Sequence, residues 1–210
     1  MAKSHDPFLL VLARIRDRVQ AGAYAAGRPI VIVEEARRLG VSTTPVREAL
    51  ACLCGEGLVE RGPAGGFVAV DQDAAAVRDR YGLRLICLLA AMDLTRGLPT
   101  YGRAPDRGAA PLEELRDLFD GLVRRSGNAA LARAHDRVVG QLRRLDAAAD
   151  RIFPDAADEA DRLLTLAATD RNGDLRDALA LYHARRAGAA AILALDASRP
   201  AGADDEGRTP

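Results

Sequence analysis

The sequence predicts a mainly α chain in two parts, three helices closed by a β-hairpin and then an all-helical bundle. Three observations carry that prediction. Apolar residues recur at helical spacing along most of the 210 residues. Strand-like runs occur only among the first 70 residues. From Asp73 onward Ala, Leu and Arg dominate and strand signals vanish. With 49% apolar residues the chain can bury one good core or two small ones, so two domains are the starting expectation, over 7–70 and 73–196.

Pro7 suits a first helical position, and Phe8, Leu12, Ile15 and Val19 then recur on one face until Gly22, giving a helix over 7–21. After a Gly- and Ala-rich turn, Pro29 and the β-branched Ile30, Val31 and Ile32 read as a brief strand or an extended approach to the next helix. That helix covers 33–39, with Val33, Ala36 and Leu39 on its apolar face, Glu34, Glu35, Arg37 and Arg38 on the other, and Gly40 as C-terminal cap. Ser42, Thr43 and Thr44 can cap a third helix that tolerates Pro45 in its first turn and carries Val46, Ala49 or Leu50, and Leu53 as its stripe. Two helices joined by about four residues are helix-turn-helix grammar. Residues 58–61 and 67–70 read as strands around a turn at Gly62–Gly66, which makes the hairpin a wing.

Beyond it, helical windows fall at 73–96, 111–125, 128–151, 155–169 and 173–195. Residues 97–110, rich in Gly, Pro and charge, read as a loop, and 198–210 as a disordered tail. No internal repeat is evident.

Zero net charge argues against a chain that coats nucleic acid or anionic membrane without selectivity. Residues 1–70 hold 9 Lys and Arg against 7 Asp and Glu, and 71–210 hold 21 against 23, so a local basic face must be placed by motif. The N-terminus lacks the apolar run of a signal peptide and no apolar stretch is long enough for a membrane span. Cys52, Cys54 and Cys87 are an odd set whose first two diverge on one helix, so they read as small buried hydrophobes in a reducing, cytoplasmic setting. No nucleophile with its base, paired catalytic carboxylates or phosphate loop is present as an ordered motif, so no enzyme is expected. The carboxylates at 113, 114, 117 and 120 fall on a solvated helical face.

Only a helix or a two-stranded ribbon fits the major groove, so sequence reading falls to the start of the third helix. Thr43 and Thr44 can meet bases or phosphates, or merely cap; Arg47 can fork to a guanine edge or a phosphate, or sit in a surface ion pair; Glu48 pairs locally. Gly65 and Gly66 let the wing backbone approach the minor groove, or simply make a tight hairpin.

Leu39 to Leu50, followed by Glu56-Gly57-Leu58-Val59 and Gly65-Gly66-Phe67-Val68, closely resembles the DNA-binding domain of GntR-type regulators over residues 8–70. The resemblance implies a homodimer on a two-fold-related double-stranded DNA operator, with Arg47 as the family's recognition-helix arginine; many members carry Arg where this chain has Thr43. Downstream, 73–96 and 173–183 resemble the opening and closing helices of the FadR-like (FCD) ligand-sensing domain, with Arg84 and His183 at family positions. That implies a repressor answering to a small carboxylate effector. The subfamily's metal, held by an Asp and three His, is not expected. Arg116 and Asp120, or Asp136 and Gly140, stand where its first Asp–His pair would be, Asp161 where a further His would be, and the chain has three His in all. Arg84 can receive an anion or pair with a neighbouring helix, and His183 can line a pocket or simply be a polar residue on an amphipathic helix. Two other outcomes stay open: a C-terminal domain that only dimerises, and a winged helix that binds protein.

Overall fold

The computed structural model describes residues 7–96, 110–169 and 171–198. The expected 198–210 tail, apart from Ser198, and the 97–110 loop, apart from Ala110, lie outside the described residues. The chain divides into two compact units, Met1–Gln72 with Leu195–Pro210, and Asp73–Ala194.

The first unit contains α1 (Pro7–Gln20), α2 (Ile32–Leu39), α3 (Thr43–Gly55), β1 (Val59–Arg61) and β2 (Phe67–Ala69). Val11, Ile15 and Val19 of α1 and Val46, Ala49, Leu50 and Leu53 of α3 form the centre of its core, with Phe8 and Leu12 packed at the edge. The strands pair antiparallel with Val59 opposite Ala69 and Arg61 opposite Phe67. Residues 26–30 run beside β2 through isolated bridges at Ala26 and Pro29: the Ile30 amide donates to the Phe67 carbonyl at 2.8 Å and the Gly27 amide to Ala69 at 3.1 Å. Of the two readings for Ile30–Ile32, the extended approach holds, and Ile32 opens α2.

Of the apolar face expected for α2, Ala36 is buried and Leu39 packs on the core, but Val33 does not. Val33 is 56% exposed, whereas Glu35 is 3% exposed beside Ala36. A carboxylate takes that core position because Arg18 of α1 comes within 3.3 Å of it, and Arg38 within 3.8 Å. Arg18 also donates to the Tyr24 hydroxyl at 3.1 Å. Gly40 ends α2 in the left-handed conformation, its amide turned back to the carbonyls of Ala36 and Arg37.

The second unit is helical: α4 (Ala74–Leu94), α5 (Pro111–Arg125), α6 (Ala129–Ile152), α7 (Ala156–Ala168) and α8 (Asn172–Gly188), with α9 (Ala190–Ala197) following in the chain. Asp73 caps α4 through the Ala76 amide and Asn128 caps α6 through the amides of Ala130 and Leu131. Helix α4 packs on α5, α6 and α8, while α7 packs on α5 and α8. The single helix expected over 173–195 is interrupted at Ala189, after Gly188, although the Ala189–Arg185 and Leu193–Ala189 hydrogen bonds bridge the break. Glycine there weakens the helix without stopping it. Cys87 is buried, but Cys52 is exposed and Cys54 half-buried, and all three are free thiols. No helix among the described residues is long and apolar enough to cross a membrane.

Leu53 is fully buried in a small core. Leu53→Asp, which places an unpaired charge there, is expected to unfold the first unit, read as loss of its protected amides in hydrogen exchange; native-like protection in the variant would contradict this packing.

Candidate nucleic-acid interface

Helix α3 buries Val46, Ala49, Leu50 and Leu53 completely. With 3.6 residues per turn, that stripe fixes the opposite face. Thr44, Arg47 and Glu48 are exposed there and Thr43 is half-exposed. Ser42 occupies the N-cap position with extended backbone but makes no side-chain cap bond. Thr43 and Thr44 begin the helix, and neither hydroxyl hydrogen-bonds to a described residue, so capping does not occupy them. Pro45 sits where a missing amide hydrogen costs nothing. Arg47 has no ion pair with a described residue, and neither does Glu48, against the local pairing expected of it.

Arg16 and Arg61 of this unit are engaged. Arg16 grips Glu56 with bonds of 2.6 and 3.1 Å. Arg61 lies over the Phe67 ring at 4.4 Å from its centroid. Arg47 is therefore available in a way these are not. The tip of the hairpin turns through Gly65 (φ 88°) and Gly66 (φ 75°), both exposed, and a Cβ at either would meet nothing within 4 Å. Backbone conformation, not crowding, accounts for both glycines, and the tip is open for close approach. A free helix N-terminus, two unengaged hydroxyls and an unpaired guanidinium on one face can accept phosphates and read a groove edge.

The second unit brings Arg84 and His183 together in its interior. Arg84 is 2% exposed and its Nη1 donates to Asp146 Oδ2 at 2.6 Å. Its Nε donates to His183 Nε2 at 3.1 Å, and Tyr81 donates to the other Asp146 oxygen at 3.1 Å. His183 Nδ1 in turn reaches the Leu179 carbonyl at 2.7 Å, so the ring is a neutral tautomer with both nitrogens used. The rings of Tyr81, Phe119 and Tyr182 surround the guanidinium at 5.2 to 5.9 Å. Burial and the Arg84 cation hold His183 well below the usual imidazole range. His135, equally buried, is pushed down to about 4 by the same two causes.

Between the two readings of Arg84, the geometry is that of a salt bridge to a neighbouring helix. The cavity beside Arg84, Asp146 and Tyr182 measures about 10 Å³, room for about one water. A family-like metal does not fit here either, because His183 has no free nitrogen and a guanidinium lies against it. Asp161 is exposed, away from this interior. Among the described residues, Asp120, His135 and Asp136 do bring ligand atoms within 4.8 Å of one another. Asp120 is half-buried beside His135 at 3.4 Å, so the face carrying 113, 114, 117 and 120 is not wholly solvated. Those three ligands are one short of a closed structural zinc site.

Sequence reasoning missed Asp146, though a signal existed. Val138, Leu142, Leu145 and Ala149 mark the buried stripe of α6, and Asp146 falls on it. A carboxylate at an apolar-face position implies a buried cation, and Arg84 on α4 is that cation.

Residues 10–68 match the family described as bacterial regulatory proteins, gntR family. No curated protein matches the chain. Among solved structures, a transcriptional regulator described as GntR from Rhodococcus sp. RHA1 superposes with a TM-score of 0.72 at 16% identity, covering 89% of this chain and 98% of that one. The E. coli protein McbR/YncC superposes with a TM-score of 0.61 at 20% identity, covering 90% and 97%. At such identities the likeness is one of fold, and it extends through both units. Residues 10–68, the stretch that matches the gntR family, thus fold as a winged helix-turn-helix joined to a helical domain.

Proposed function

We propose that the chain is a sequence-specific transcription regulator, a repressor that binds its operator as a homodimer and is modulated by a small molecule. The observation that supports it best is the exposed, unengaged start of α3, with Thr43, Thr44 and Arg47 offered outward and the Gly65–Gly66 wing tip beside no obstruction. Thr44 and Arg47 supply base or phosphate contacts, the α3 amides supply a phosphate contact, and two copies address half-sites about 34 Å apart or a multiple of that. The 73–196 helices carry dimerisation and the response to a ligand. Arg84 and His183 contribute to that domain by ordering its core, since Asp146 already takes the place on Arg84 that an effector carboxylate would need.

Fluorescence anisotropy on DNA from upstream of the protein's own gene, against a scrambled duplex, tests the reading. Tight, salt-dependent and sequence-selective binding is expected, and Arg47→Ala is expected to weaken it by about 1–3 kcal/mol with lost discrimination at one position per half-site. Equal weakening on every sequence would assign Arg47 to a phosphate. Weak, equal binding to every duplex, including those from a random library, would instead favour a protein partner for the winged helix.

The helical core also predicts a pH dependence. Unfolded, His135 and His183 bind protons near pH 6.5; folded, both are held lower. The unfolded chain therefore carries more protons as pH falls from about 6.5 towards 4, and stability drops across that window by up to about 1.4 kcal/mol per pH unit for each histidine. Asp120 and Asp150, pushed up by burial, act with the opposite sign nearer pH 4. The urea midpoint followed by circular dichroism is expected to fall between about pH 7 and pH 5, with a shallower fall in His135→Gln; a midpoint that stays flat or rises contradicts neutral buried imidazoles.

A further inference from the structure

At one end of the helical unit a cavity of about 260 Å³ lies between the last turns of α4, α5 and α7 and the first turns of α8. That volume is just below the ~300–1,000 Å³ usual for small-molecule sites, so it suits a ligand of metabolite size. Its floor is apolar, formed by Met92, Leu122, Ala167 and Leu175, all buried. Three guanidiniums line it: Arg96, Arg125 and Arg176. Asp93 is the one carboxylate among its lining residues, and it is shared: Arg176 donates to it at 2.9 Å and Arg96 at 3.1 Å. Arg125 has no ion pair with a described residue.

The lining therefore carries two more positive than negative charges. A helix C-terminus explains a cation at the end of α5 and after α4. Arg176, in the second turn of α8 near that helix's positive end, is placed there by Asp93, whose two oxygens accept from it at 2.9 and 3.5 Å, which leaves Arg125 as the lining guanidinium without a carboxylate among the described residues. We infer that this cavity binds a small anion with a short apolar body, a carboxylate or a phosphate ester, whose head is held by Arg125, with Arg176 shared between Asp93 and the ligand, and whose chain lies on Leu122 and Leu175. A charge-assisted bond to the Arg125 fork fixes the head, and the buried floor excludes water from the tail. The site is separate from the Arg84 core, whose cavity holds no more than a water. The inference deepens the ligand-response part of the proposed function; it is tested without DNA, so failure to find an operator leaves it standing or falling on its own.

The test is nuclear magnetic resonance titration of the full chain with hexanoate, hexyl phosphate, inorganic phosphate and hexan-1-ol. Saturable shifts are expected at Leu122, Leu175 and Arg176 amides with either hexyl anion, the tighter one identifying the head group. Inorganic phosphate and hexan-1-ol are each expected to bind roughly tenfold more weakly or worse, since each keeps one half of the recognition. Arg125→Glu is expected to abolish anion binding with an unchanged melting temperature; Arg125→Gln serves if the reversal unfolds the chain. No saturable shift with either hexyl anion, equal binding of hexan-1-ol, or unchanged affinity in the folded Arg125 variant would overturn the inference.

Discussion

The packing of α3 against α1 is the constraint on which the exposed face of α3 depends. Val46, Ala49, Leu50 and Leu53 are wholly buried, so α3 can neither roll nor slide without exposing them. Burying such side chains is worth roughly 1.5–3 kcal/mol each for the larger ones, and their phase along the helix turns Thr44, Arg47 and Glu48 to solvent. The outward face of α3 is thus set by residues that are themselves buried. The wing depends on the same core, because Leu58, Val59 and Phe67 anchor both strands in it while the two glycines at the tip stay free.

The helical unit is organised by a different force. Arg84, Asp146, Tyr81 and His183 satisfy one another in a largely apolar interior that also buries His135 and Arg186. Such a pair adds little net stability over an apolar substitute, but removing one partner strands a buried charge. Its effect here is on register, since hydrogen bonds tie α4 to α6 and to α8 at fixed positions. It also occupies the interior. Any ligand response of this unit must then come from a surface the ion pair does not fill, and the basic cavity at the end of the bundle is such a surface.

Most of the architecture was legible because it rests on local periodicity. Helices α1, α3, α5 and α6 begin within a residue or two of the positions that Pro7, Thr43, Pro111 and Asn128 mark. The strands are one residue shorter than their apolar runs, since Leu58 and Val70 flank the ladder without joining it. What was not legible depends on pairings across the fold. Glu35 is buried because Arg18 of α1 reaches it, which shifts the inward face of α2 away from Val33. Asp146 is buried because Arg84, 62 positions earlier, is buried too. The exposure of Thr44 and Arg47 was legible because one helix turn displays them; the cavity was not, because four helix ends from separate parts of the chain build it.

The most direct measurement is selection of bound duplexes from a random DNA library by the full-length protein, followed by sequencing. A reader that uses α3 and the wing in pairs enriches a two-fold-symmetric motif with half-sites about one helical turn, or a multiple of it, apart. A library that emerges without an enriched motif would contradict sequence-specific recognition by this surface.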